Sequence, residues 1–454
     1  MRLLAFATSV LRSLSRSRWV RLLWPWHRRS ANQRVFSFLE RADALERSFK
    51  RAILLTTAVV IVAALLGTPS GRYLASWLRA RLRWTALWSV GMRPGRDEIA
   101  ADRQRRRLFD LEESRTKLKS AFAEYGTRMQ RLLTYAGLDP NHVLLGWGNF
   151  DRTLLLPSTL FETDLQGRSY RMKPNTRALW VRNFIIKGGI LAFFMVPDTP
   201  ELTLAIAGTD TIIVPNSEQT TNSWGLRGPE PDLEAPLRGI VLGDSFMQGT
   251  CVRDDETPPE CLRRYLVEHL HVQTAILNTG HLGYSPEQYF YTLLEYVDRF
   301  RPQFVVVSVF ANDFGDMFEV LQGKGDWEEG GYWLNQIQEF CRGRKLLCLI
   351  VPAPFVDQIE GARKAGNYPG QVSNVTGQSG LDYLDPIEDF VDHHLELIDE
   401  DLRLGKPPRK DPLFNSQIAD AHFSALGSKV WGASVGRRLV LLIQRYGGGK
   451  VFKF

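Results

Sequence analysis

The chain has 454 residues, too many for one ordinary hydrophobic core, and at 44% hydrophobic and 24% charged residues its composition excludes intrinsic disorder. Its net charge of +7 is unevenly spread: residues 1–107 hold 22 Lys and Arg against 6 Asp and Glu, whereas the remainder holds 35 against 44. A nucleic-acid-binding protein needs its basic residues on a folded surface with aromatic or helical readers; here the arginines surround an apolar segment, which argues for a membrane surface instead.

Residues 1–51 form the basic N-terminal segment, with no acid before Glu40 and with Trp19, Trp24 and Trp26 interleaved among arginines. That is the pattern of a helix lying on anionic lipid, and a mitochondrial presequence shares it. Residues 52–68 are uncharged and flanked by Lys50, Arg51 and Arg72, which predicts a single transmembrane anchor near the lower length limit. The arginine excess before it predicts a cytoplasmic N-terminus and a catalytic part outside the cytoplasm, in a periplasm or an organelle lumen. Trp77, Trp84 and Trp88 suggest an interfacial helix just after it.

The helical region continues to residue 137. Leu111, Leu118, Tyr125 and Leu132 recur every seven residues, with Phe122 and Met129 alongside, so one apolar stripe should pack onto its own domain. Residues 138–236 change texture to short apolar runs at 178–186, 190–196, 202–207 and 211–214 separated by turn residues, which predicts a small β-rich domain.

From residue 237 to 454 strands and helices alternate. Strands are predicted at 239–242, 275–278, 304–310 and 346–351, and helices at 257–269, 286–299, 332–341 and 424–446. This is an α/β pattern, a parallel sheet sandwiched by helices. Residues 361–412 are less regular and read as an insertion near the site. The four cysteines show no C-x-x-C spacing; Cys251 with Cys261 and Cys341 with Cys348 are close in sequence, and either disulfides or buried thiols are compatible with that.

The strand at 239–242 runs into G-D-S-F-M-Q-G, which puts Ser245 at a strand's carboxyl end, where open α/β sheets hold ligands. A serine hydroxyl is a weak nucleophile without a base and an orienting group. His422 is the candidate base, with Asp420 adjacent and a terminal helix following. His281 is its main rival, and the other histidines read as surface or helix-end residues. Asn312 follows a very apolar strand. Asp244 and Asp313 read as loop-capping residues.

Four stretches taken together, G-D-S-F with Gly249, N-T-G-H-L-G-Y-S, V-F-A-N-D and D-A-H-F-S, resemble the SGNH branch of the GDSL hydrolases over roughly residues 238–446. The chain departs from that family in having Ala311 where glycine usually precedes the asparagine, and D-x-H where D-x-x-H is usual. The lead-in N-S-W-G-L-R-G-P-E at 222–230 is similar to that of membrane-linked members. The resemblance implies an SGNH-type fold, with Ser245, Asp420 and His422 as the catalytic triad. It also implies an oxyanion hole made by the backbone N–H groups of Ser245 and Gly283 and the Asn312 side chain. It implies a serine esterase acting on acyl esters, acetyl above all, of carbohydrate or lipid. Two readings stay open beside it: an O-acyltransferase of a cell-surface polysaccharide, and a non-catalytic glycan-binding protein. No metal or organic cofactor is expected, and no nucleic-acid partner.

Overall fold

The computed structural model describes residues 116, 119–120, 122–123, 126–139, 144–145, 155–164, 168–183, 193–209, 211–315, 320, 325, 327–359, 368–376, 383–415 and 421–447. All of them belong to one compact unit, Asp110–Phe454. The basic segment 1–51, the apolar segment 52–68 and the interfacial helix expected after it lie outside the described residues, and so does Asp420. Among the described residues no helix is long and apolar enough to cross a membrane.

In chain order the elements are α1 (Thr127–Ala136), β1 (Leu144–Leu145), β2 (Leu155–Leu156), β3 (Phe161–Asp164), β4 (Ser169–Met172), β5 (Arg177–Asn183), β6 (Phe193–Pro197), α2 (Leu202–Ile206), β7 (Thr211–Ile213) and β8 (Gln219–Thr220). There follow β9 (Leu237–Leu242), α3 (Ser245–Gln248), α4 (Pro258–Leu270), β10 (Thr274–Asn278), α5 (Pro286–Phe300), β11 (Phe304–Val309), α6 (Trp327–Gly343), β12 (Leu347–Pro352), α7 (Val356–Ile359), α8 (Gly370–Val375), α9 (Ile387–Arg403) and α10 (Ala425–Gly447).

The central sheet is parallel, with strand order β10-β9-β11-β12. Every residue of β11, F-V-V-V-S-V, is buried. That is why these strands read as unbroken apolar runs rather than alternating ones: helices cover both faces of the sheet. From β9 the chain steps to one side for β10, then returns across β9 to β11 and on to β12. Crossovers of this kind are right-handed, so α4 lies on one face and α5 and α6 on the other. The packing agrees, since α4 meets α10 and α5 meets α6.

Local chemistry sets the helix starts. Thr257 accepts the Glu260 N–H at 3.4 Å ahead of Pro258, and the Ser285 N–H donates to Gln288 Oε1 at 3.0 Å ahead of Pro286.

The second sheet, β6-β5-β7 with β8 also on β5, is antiparallel. Both faces of β5 are buried. Leu179 and Val181 pack with Leu132, Leu133 and Ala136 of α1 in a small core of their own. Ala178 and Trp180 point the other way, into the main core with the parallel sheet. The alternation of side chains along a strand therefore ties the β-rich region to the α/β part.

One expectation is corrected. The run at 202–207 is a short helix, not a strand, because Leu202 and Ala205 bury one face at helical spacing after Pro200. Within the less regular region 361–412, the surface helix expected to carry His393 and His394 is α9, 17 residues long. Its apolar signal is thin because Phe390 is its only fully buried hydrophobic residue while Leu395 and Leu402 stay exposed. All four cysteines are free and buried.

Candidate active site

At the end of β9 the backbone turns through Gly243 and Asp244 into α3, with Ser245 as its first residue. Asp244 caps this short helix, its Oδ1 accepting the Phe246 N–H at 2.9 Å. Gly249 closes α3 in the left-handed conformation at φ 79°. The chain order reverses at β9, and open parallel sheets bind ligands at the carboxyl ends of strands at such a reversal. The loops that leave β10 and β11 flank that of β9, so the segments carrying Gly283, Ser245 and Asn312 lie side by side.

His422 precedes α10 and comes to Ser245 from elsewhere in the chain. Its Nε2 lies 2.6 Å from Ser245 Oγ. Asn415 pins the histidine loop: its N–H donates to the His422 carbonyl at 2.9 Å, and its side-chain amide donates to Phe423 O at 2.9 Å and to Thr250 O at 3.3 Å. The imidazole also packs on Phe246 at 4.7 Å between ring centroids. Ser245 and His422 are thus held by the same small group of contacts.

Asn312 lies in a single 3-10 turn, Ala311–Phe314, directly after β11. Its neighbour Asp313 braces the turn, the buried carboxylate accepting the Phe310 N–H at 2.9 Å and the Tyr289 hydroxyl at 2.9 and 3.1 Å. The Asn312 amide sits beside the Asp244 carboxylate. Burial pushes that carboxyl up to about 6, while His422, the Phe246 N–H and Asn312 favour its charged form and limit the rise. Burial, with Asp244 nearby, also raises Asp313 well above the usual carboxylate range. Both aspartates are therefore loop-bracing groups, as their positions in the sequence suggest.

Gly283 sits in a β-turn closed by the Tyr284 N–H on His281 O at 3.1 Å, with φ +69°. Just before it Gly280 lets the loop approach α3: a side chain there would meet the Gln248 nitrogen at 2.3 Å. Gln248 in turn accepts the Leu282 N–H on its Oε1 at 2.6 Å.

His281, the rival base, is engaged elsewhere. Its Nε2 accepts the Met172 N–H at 2.9 Å and its ring stacks on Tyr284 at 4.4 Å. Burial, with Arg168 adding to it, lowers its pKa to about 3, so the ring is neutral. His269 and His393 bond carbonyls one turn back on their own helices. Among the described residues no group of His, Cys, Asp and Glu could hold a metal ion.

Sequence reasoning passed over Arg227. Its buried guanidinium donates to Gln248 O at 2.8 Å, to Glu218 O at 3.2 Å and to Asp254 at 2.8 Å, and also to the Gly249 and Val252 carbonyls. It gathers the carbonyls that leave the end of α3. The available signal was its place in the lead-in 222–230.

No family model matches the chain, and no curated protein matches it. Solved structures similar to it include the acetyl xylan esterase AlAXEase, 17% identical, covering 46% of this chain and 100% of that one at a TM-score of 0.34. The psychrotrophic esterase EstA from Pseudoalteromonas sp. is 10% identical over 47% of this chain and 99% of its own, with a TM-score of 0.32. A lipase/acylhydrolase from Enterococcus faecalis is 17% identical over 45% of this chain and 95% of its own, with a TM-score of 0.28. Likenesses at this level do not bear on what the chain does.

Proposed function

We propose that the protein is a serine ester hydrolase of SGNH type. The reading rests on one observation, the 2.6 Å approach of His422 Nε2 to Ser245 Oγ at the carboxyl end of a central parallel strand. In the reaction Ser245 Oγ attacks the ester carbonyl carbon while His422 Nε2 takes its proton. The oxyanion is held by the backbone N–H groups of Ser245 and Gly283 and by the Asn312 amide. The C–O bond to the alcohol then breaks, and the alcohol leaves with the proton from His422. Water, deprotonated by the same imidazole, attacks the acyl-enzyme and releases the acid. Asp420, two residues before the base, is the orienting carboxylate.

The substrate is an acyl ester, acetyl above all, of a carbohydrate or lipid. We place the enzyme at a membrane through residues 52–68, with its catalytic part outside the cytoplasm; this comes from the sequence alone. If a sugar hydroxyl replaces water, the same acyl-enzyme makes the protein an O-acyltransferase.

The test incubates the full-length protein with a fluorophosphonate probe and, separately, with p-nitrophenyl acetate. Labelling and acetate release that vanish in Ser245→Ala support the acyl-enzyme; glycan acceptors added to the same assay separate hydrolysis from transfer. A folded wild type that neither labels nor turns over sinks the proposal and leaves glycan binding to be tested.

A further inference from the structure

The turn that carries Gly283 is held by a strand far from it in sequence. His281–Tyr284 is closed by the Tyr284 N–H on His281 O, Gly283 has φ +69°, and Leu282 is not among the residues with positive φ. That combination defines a type II turn, in which the central peptide is flipped relative to type I and the third residue must tolerate positive φ. The central peptide here joins the Leu282 carbonyl to the Gly283 N–H. Because it is trans, the two groups point in opposite directions.

The Tyr170 hydroxyl of β4 donates to that Leu282 carbonyl at 2.8 Å. The neighbouring peptide is fixed as well, since the Leu282 N–H donates to Gln248 Oε1. Strand β4 is clamped along the whole loop. Gln288 Nε2 donates to Arg168 O at 2.6 Å, the Tyr284 hydroxyl to Tyr170 O at 2.5 Å, and the Met172 N–H to His281 Nε2 at 2.9 Å. The Tyr170 ring stands edge-on to those of His281 and Tyr284 at 5.7 and 5.4 Å. Among these contacts it is the Tyr170 hydroxyl that bonds the carbonyl of the peptide bearing the Gly283 N–H.

We infer that Tyr170 is a positioning residue for the oxyanion donor at Gly283, and that the β-rich region therefore completes the active site. This rests on the esterase reading. Without the hydroxyl the central peptide loses an acceptor bond that helps hold it flipped, and the direction of the Gly283 N–H is less firmly set. A donor whose orientation is built in before reaction needs no reorganisation as charge develops, so its loss should appear in kcat rather than in KM.

The experiment compares Tyr170→Phe with Tyr284→Phe in the full-length protein. Tyr284→Phe removes a bond of the same clamp but none to the turn peptide. Tyr170→Phe should lower kcat for p-nitrophenyl acetate about tenfold with KM within about twofold, whereas Tyr284→Phe should leave kcat within about twofold. The amide signal of Gly283 in glycine-¹⁵N-labelled protein, assigned by its loss in Gly283→Ala, should move in Tyr170→Phe and stay in Tyr284→Phe. Ser245-dependent turnover that is equal in wild type and Tyr170→Phe overturns the inference, and so does an equal fall in both variants. If the wild type shows no Ser245-dependent turnover, the esterase reading has failed by itself. The Gly283 signal alone then decides whether Tyr170 sets that peptide, and an unmoved signal refutes it.

Discussion

His422 Nε2 and Ser245 Oγ meet at 2.6 Å although 177 positions separate them in the chain. The serine is delivered by the carboxyl end of β9 and the histidine by the loop before α10. Both are braced by side chains outside the pair, Asn415 and Phe246 among them. Replacing His422 with alanine should lower kcat at least about a thousandfold, because the hydroxyl loses its base while the fold keeps its core. Steady-state kinetics alongside circular dichroism will check this; a folded variant with near wild-type turnover would remove His422 from the mechanism.

Asn312→Ala should cost roughly a hundredfold or more in kcat with little change in KM, as expected for a donor used mainly in the transition state. If KM rises while kcat holds, Asn312 binds substrate and does not stabilise the oxyanion.

Arg227 is nearly fully buried and gathers four backbone carbonyls and Asp254 behind the nucleophile helix. Arg227→Met takes a donor from each of those acceptors and should lower stability by about 3–5 kcal/mol in urea unfolding. Arg227→Lys should recover little, since one ammonium cannot reproduce the planar fork. A lysine variant as stable as wild type would contradict this account.

Burial, with Arg168 adding to it, holds the His281 imidazole down from its ordinary 6.5 to about 3. Between those values the unfolded chain binds a proton that the folded chain refuses. The stability contribution is therefore complete above pH 6.5 and is lost as pH falls toward 3, by roughly 4–5 kcal/mol at the limit. Asp244 acts the opposite way: burial raises its carboxyl, so the folded state takes up its proton first and gains as pH falls. His281→Gln, which keeps an acceptor for the Met172 N–H, should remove the His281 part of the acid loss, so the variant loses less stability than wild type between pH 7 and pH 4. Urea midpoints at pH 7 and pH 4 decide it, and equal acid losses in variant and wild type would rule the explanation out.

Much of this molecule was legible in its sequence. The strands β9 to β12 fall within a residue or two of the predicted positions, because a strand buried on both faces must be a continuous apolar run. The break after Leu242 placed Ser245 at a strand end, and Pro286 after Ser285 marked a helix start. These features are local, set by the chemistry of neighbouring residues. The 202–207 run was misread because five residues are too few to separate helical from strand periodicity.

What only the tertiary structure decided is which distant groups meet. Residue types left His281 and His422 as rivals; the fold commits His281 to Met172 and brings His422 to Ser245. Nothing near Tyr170 in the sequence marks it, yet its hydroxyl reaches Leu282 across 112 positions. Periodicity and turn chemistry report the conformation of a segment, whereas a hydrogen bond between remote segments depends on how the sheets and helices between them pack, and the Ser245–His422 and Tyr170–Leu282 bonds are both of that kind.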